Sequence, residues 1–95
     1  MIEIDDFEWD QIKSSANQLK HGYPFSVAAR LFDGRVRLDS KINSTAYNEI
    51  RYVTFAEIND RVLVCIWTWR HTKRRVISLR SASKRECNAY AKATG

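Results

Sequence analysis

Apolar residues recur along this chain with changing periods, and the changes divide it into elements. Ile4, Phe7 and Trp9 mark a short first strand over Ile4–Trp9. Ile12, Ala16 and Leu19 follow at steps of four and three, the spacing of an amphipathic helix. Asp10 is placed to cap its start and Gly22 to stop it. Lys20 and His21 fall in its last turn, where positive charge suits the helix dipole. Phe25, Ala28, Ala29 and Phe32 repeat at i, i+3, i+4 and i+7 behind Pro24, a residue favoured at the first helical position. A second helix is therefore predicted, ending before Asp33-Gly34. With the short break at Gly22-Tyr23, the pair forms a helical hairpin that needs a sheet to cover.

The stretch from Asp33 to Asn48 is polar and weakly patterned; it reads as a loop holding at most an edge strand at Arg35–Leu38. Glu49–Ile58 is rich in β-formers, and Asn59-Asp60 is a turn. Val62–Trp69 is apolar on both faces, with Thr68 its clear polar member, which predicts a central strand. After a turn at His71-Thr72-Lys73, Arg75–Arg80 returns as another strand, completing an antiparallel meander. Ser83 and Glu86 have capping-box spacing and open a last helix to about Lys92. The order β-α-α-β-β-β-α predicts a two-layer α+β domain over 1–95: a helical hairpin packed on a small antiparallel sheet, with a C-terminal helix. Strand alternation places Arg74, Val76, Ser78 and Arg80 on one side of the last strand and Arg75, Ile77 and Leu79 on the other. The apolar side must face the helices, so Arg75 is expected to point towards them from the rim. Trp9 and Trp67 are expected in the core, and Cys65 as a buried free thiol.

Charge sharpens this picture. Residues 1–60 carry seven Lys/Arg against ten Asp/Glu, a net of −3; residues 61–95 carry nine Lys/Arg against Glu86 alone, a net of +8. A polyanion surface is expected on the C-terminal half. Two cysteines, Cys65 and Cys87, are too few for a disulfide framework. The acidic start MIEIDDFEWD has neither the basic nor the apolar region of a secretory leader, and no run is apolar enough to span a membrane. A reduced cytoplasm is the expected location. His21 and His71 stand far apart without metal-ligand spacing, and no Gly-rich phosphate loop or Gly-x-Ser-x-Gly elbow occurs. No metal and no cofactor are expected.

Basic and aromatic residues remain as the carriers of chemistry. Trp69, Arg70, Lys73 and Arg74 surround one hairpin end, while Lys84 and Arg85 follow Arg80 into the last helix. Guanidinium groups meet phosphate bidentately and rings stack on unpaired bases, so these six are the candidate RNA-binding residues. Plainer uses stand beside these readings: Lys84 and Arg85 as a solvated helix face, His21 as a helix cap, and Arg80 in a salt bridge to Glu86.

The same residues trace a family pattern. Phe7-Glu8-Trp9-Asp10, Lys13, Asn17 and Lys20-His21-Gly22 resemble the opening of the BrnT toxins, and Phe25, Ala28 and Phe32 match the family's next stretch. Arg51-Tyr52 matches the start of a family strand. Arg75-Val76-Ile77-Ser78-Leu79-Arg80-Ser81-Ala82, then Lys84-Arg85-Glu86 and Tyr90, resemble the family's closing signature. Two stretches depart from it: the basic, polar loop Arg35–Asn48, and Trp69-Arg70-His71-Thr72 in place of a small Gly-containing turn. The resemblance implies a RelE-like fold and the toxin of a type II toxin–antitoxin module. It further implies a metal-independent endoribonuclease that inhibits translation and arrests growth, neutralised by a BrnA-like antitoxin through which alone the toxin reaches operator DNA. The alternative is a catalytically degenerate toxin that acts only as an antitoxin-binding co-repressor partner. Metal-free RNA cleavage needs a base for the ribose 2′-OH, a cation over the phosphate and an acid for the leaving 5′-oxygen. Arg75 and Arg80 are candidates for the phosphate; Lys20, His21, Arg51, Arg70 and Tyr90 are candidates for positioning or proton transfer. The last helix or the sheet beside it is expected to form much of the antitoxin surface, with Arg85 exposed.

Overall fold

The computed structural model describes residues 1–44 and 48–95, and among these six strands form one mixed sheet. The strands are β1 (Ile2–Ile4), β2 (Phe7–Trp9), β3 (Arg37–Ser44), β4 (Glu49–Ile58), β5 (Arg61–Arg70) and β6 (Lys73–Ser81), in the order β1-β2-β6-β5-β4-β3. Two α-helices, α1 (Gln11–His21) and α2 (Lys84–Thr94), and a 3-10 helix (Phe25–Phe32) complete the chain. The α+β class is as predicted, but the sheet is larger and not purely antiparallel. The predicted first strand is a tight hairpin turning at Asp5 (φ 53°), and its second arm, β2, runs parallel to β6. Half of the predicted polar loop is the edge strand β3, whose eight residues all pair with β4; the part of that loop at 45–47 lies outside the described residues. Weak hydrophobic patterning hid β3 because an edge strand with one open face needs few apolar side chains.

The turns and caps match the expectation. Asn59 and Asp60 take φ of 50° and 66° between β4 and β5, the left-handed pair that a two-residue hairpin requires. Asp10 accepts a hydrogen bond from the Lys13 amide, Gly22 closes α1 at φ 87°, and Ser83 with Glu86 forms the full capping box of α2.

The helical hairpin is corrected. The second segment is a 3-10 helix, and it alone lies on the sheet face, inserting Phe25, Ala28 and Leu31 into the core with Trp9, Leu63, Cys65, Trp67, Val76 and Leu79. Helix α1 instead runs along the free edge of β6, where three-residue β2 has already ended. The Asn17 amide substitutes for a strand there: Nδ2 donates to the Leu79 carbonyl at 2.7 Å, and Oδ1 accepts from the Leu79 N–H at 3.3 Å. The same Nδ2 also donates to the Tyr23 carbonyl at 2.8 Å, and Ser14 Oγ accepts from the Phe25 N–H. Buried backbone groups must find partners, so α1 buries two polar side chains, Ser14 and Asn17. Ile12 and Leu19, the marks of the predicted helix, stand 81% and 91% exposed.

The predicted sidedness of β6 is corrected too. Ile66 pairs with Ser78 but Trp67 pairs with Val76, so Ile77 is the extra residue of a β-bulge. The bulge resets the alternation, putting Leu79, Val76 and Arg74 on the helix-covered face. Arg75 and Arg80 share the opposite face.

Cys65 is wholly buried on β5, and burial pushes its thiol up to about 12. A thiolate-selective reagent is expected to label half-buried Cys87 and leave Cys65 unmodified until the protein unfolds. Peptide mapping of the labelled native protein checks this; rapid modification at Cys65 would contradict the packing described.

Candidate functional site

Alternation along the paired strands builds two surfaces from the basic residues. On the open face, β4 contributes Glu49, Arg51, Val53 and Phe55; β5 contributes Val64, Ile66, Thr68 and Arg70; β6 contributes Lys73, Arg75, Ser78 and Arg80. Thr68 lies opposite Arg75, and Arg75 opposite Glu8 of β2. Continuing the β4–β5 register by one residue sets Arg51 beside Thr68, so Arg51 and Arg75 are two strands apart, roughly 10 Å. Ser40, Val53, Ile66 and Ser78 form the next row, and Leu38, Phe55, Val64 and Arg80 the one after. No helix covers the middle of this face: Ser40 is exposed, while Val53, Ile66 and Ser78 are half-buried.

Each arginine here is held by a carboxylate. Glu49 accepts from Arg51 Nε and from Arg70 Nη1, both at 3.0 Å, and these bonds lower its pKa. Glu8 accepts from Arg75 Nη1 at 3.0 Å. Glu86 accepts end-on from Arg80, at 2.7 Å from Nη1 and 3.0 Å from Nη2. That fork, with the Ser83 amide, holds the Glu86 carboxyl down to about 2. The salt bridge weighed for Arg80 from the sequence is therefore present. It leaves the side edge of the guanidinium, Nε and the second Nη2 hydrogen, without an acceptor among the described residues. Lys73 Nζ lies 4.0 Å from Glu3. Lys84 and Arg85 stand exposed on the first turn of α2, next to Glu86.

At the β6 edge, Lys13, Ala16, Lys20 and His21 of α1 face Ile77 and Ser78 across a shallow hollow of about 290 Å³. The Asn17–Leu79 bonds set this juxtaposition, because they fix the last turn of α1 beside the bulge. Lys20 is exposed and His21 half-buried. Tyr90 sits apart from these groups, its hydroxyl donating to the Val36 carbonyl at 3.2 Å.

Arg74 and Trp69 belong to the other face. The Arg74 guanidinium lies 4.2 Å from the Phe32 ring centroid, 4.8 Å from those of Trp67 and Trp69, and 6.0 Å from that of Phe7. Desolvation, then the neighbouring Arg37, lowers its pKa. Trp67 is anchored by its indole N–H to Thr54 Oγ1 and stacks on Tyr52; Trp69 is 43% exposed at the rim. The cage resolves how a charged side chain reaches the helix side: the ring faces replace part of its water.

The acidic partners are what sequence reasoning missed. Glu8 lies between Phe7 and Trp9, and Glu49 precedes Arg51 by two, so strand alternation alone could have put both on the arginine face. The acidic N-terminal half supplies three of the carboxylates that meet the basic C-terminal half. Among the described residues no three His, Cys, Asp or Glu side chains gather as metal ligands.

An α+β domain with arginines on one face of its sheet is the setting in which a family comparison becomes informative. The family model described as the ribonuclease toxin BrnT of type II toxin–antitoxin systems matches residues 9–86. The chain therefore belongs to the BrnT family of type II ribonuclease toxins. That family assignment brings an antitoxin partner with it. No curated protein matches the chain in a sequence comparison. Among the described residues no helix is long and apolar enough to cross a membrane.

Proposed function

We propose that this chain is a cytoplasmic, metal-independent endoribonuclease with a RelE-like mode of action, which cuts RNA on the open sheet face and so inhibits translation and arrests growth. The observation that carries this reading is the placement of Arg51, Arg75 and Arg80 on one sheet face whose middle no helix covers, bordered by Lys20 and His21. RNA lies across β4, β5 and β6, its phosphates met by Arg75 and by the free edge of Arg80. Arg70, Lys73, Lys84 and Arg85 extend the phosphate track, and a base leaving the face over the hairpin tip stacks on Trp69, with Arg74 beneath it. In the reaction the ribose 2′-oxygen attacks phosphorus, the bond to the 5′-oxygen breaks, and a 2′,3′-cyclic phosphate is left. The arginines balance the charge that builds on the phosphoryl oxygens. His21 and Lys20 stand at the β6 edge as the proton-transferring groups, with Arg51 positioning the chain; Tyr90 supports α2 rather than the reaction. A BrnA-like antitoxin neutralises the toxin and links it to operator DNA.

Purified protein is expected to cleave single-stranded RNA in excess chelator and to leave cyclic phosphate ends. One observation favours a second reading: every arginine on the face is already engaged by a carboxylate. A chain that binds its antitoxin yet leaves RNA intact, and does not slow growth when induced alone, would be the non-catalytic co-repressor partner.

A further inference from the structure

Helix α1 turns its most apolar stripe to solvent. Ser14 and Asn17 fix its buried side, and at 100° per residue Ile12, Ala16 and Leu19 fall within about 60° of one another, on the opposite side. All three are exposed, Ile12 and Leu19 almost completely. No intramolecular packing explains two bare aliphatic side chains two turns apart on one helical line, and the edge-docked placement of α1 makes them unavoidable. Along one flank of the stripe run Lys13 and Lys20; along the other run uncharged Gln11, Ser15 and Gln18. The helix contains no acidic residue.

We infer that this stripe is the docking surface for the antitoxin, through an amphipathic antitoxin helix that is apolar on one face and acidic along one margin. The partner class rests on the toxin–antitoxin membership established above. The chemistry of the segment comes from α1: aliphatic side chains to cover Ile12, Ala16 and Leu19, and carboxylates to meet Lys13 and Lys20. A second copy of the same helix fits poorly. Antiparallel packing of two α1 stripes sets Ile12 against Leu19 and so brings Lys13 of one copy towards Lys20 of the other. RNA, for its part, would gain nothing from the aliphatic groups. Helix α2, where the charge pattern placed the antitoxin surface, exposes no large apolar side chain. Because Lys13, Ala16 and Lys20 also line the hollow beside Ser78, a helix seated on the stripe overhangs the entrance to His21. Docking there would obstruct the proposed cleavage site without entering it.

The test is titration of the cognate antitoxin against the wild-type chain, Ile12→Ser/Leu19→Ser and Lys13→Glu, with melting and sedimentation of each chain alone. The double variant is expected to bind about 100-fold more weakly or worse, since both stripe anchors are gone. Its melting temperature and its RNA cleavage are expected to stay at wild-type values, because both side chains are already in water. Lys13→Glu, which leaves the stripe intact, is expected to weaken binding most at low salt. Unchanged affinity in both variants overturns the inference. Affinity lost through Arg85→Glu on α2 but not through α1 overturns it as well. So does a wild-type chain that dimerises alone through the stripe. Binding is read without RNA, so the inference stands or falls separately from the cleavage mechanism.

Discussion

Replacing Asn17 by Ala is expected to lower the free energy of unfolding by about 2–4 kcal/mol, although the change removes only one polar side chain from a short helix. Three hydrogen bonds disappear with it, and the Leu79 N–H, the Leu79 carbonyl and the Tyr23 carbonyl lose their partner. Leu79 is wholly buried, so water cannot replace the amide without opening the edge of β6. Each stranded group costs about 1–3 kcal/mol when buried, with the sum reduced because the three share one site. For a chain of this size the loss corresponds to a fall of roughly 10–25 °C in melting temperature. Asn17→Asp offers no rescue, since a carboxylate cannot donate to the two carbonyls. Ile12→Ala, by contrast, is expected to be nearly neutral despite its hydrophobic character. Thermal denaturation of the three variants checks the set, and an Asn17→Ala protein melting with the wild type would show that α1 is not held as described.

That contrast also marks how far the sequence was legible. Caps and turns depend on nearest neighbours, so Asp10, Gly22, Asn59-Asp60 and the Ser83–Glu86 box could all be read locally. The existence of α1 was legible as well. Which side it buries was not, because the partner is a strand edge left bare by the brevity of β2, 62 residues away in sequence. A helix meeting backbone groups needs Ser14 and Asn17 inward, and that demand overrides the aliphatic stripe. The sidedness of the arginines failed for an equally specific reason. Strict alternation through 74–80 assumes a regular ladder, and one bulge at Ile77 exchanges the faces of Arg74 and Arg75 relative to the core. The residue types of the site were legible from charge asymmetry; their carboxylate partners needed the register of β2, β4 and β6.

Arg80→Ala is expected to slow RNA cleavage by about 100-fold or more while leaving the fold nearly as stable as before. The pair it makes with Glu86 is only partly shielded, with side-chain exposures of 35% and 26%. A pair of that kind contributes about 0–1 kcal/mol. Glu86 also keeps its bond from the Ser83 amide in the variant, so α2 remains capped. Loss of a cation that meets the phosphoryl charge costs far more, about 3–4 kcal/mol in the transition state. Glu86→Gln separates the two roles from the other side: it weakens the hold on Arg80 and is expected to leave cleavage intact. A large fall in melting temperature for Arg80→Ala would instead make the pair structural.

Single-turnover cleavage of one defined single-stranded RNA, in chelator, by the wild-type, Arg75→Ala, Arg80→Ala and Arg30→Ala proteins tests the location of the site most directly. Arg30 is exposed on the 3-10 helix, on the covered side of the sheet. Cleavage on the open face predicts rates reduced about 100-fold or more for Arg75→Ala and Arg80→Ala. It predicts a rate within about twofold of wild type for Arg30→Ala. Equal rates for all four proteins, or an Arg30→Ala defect as deep as the other two, would contradict it.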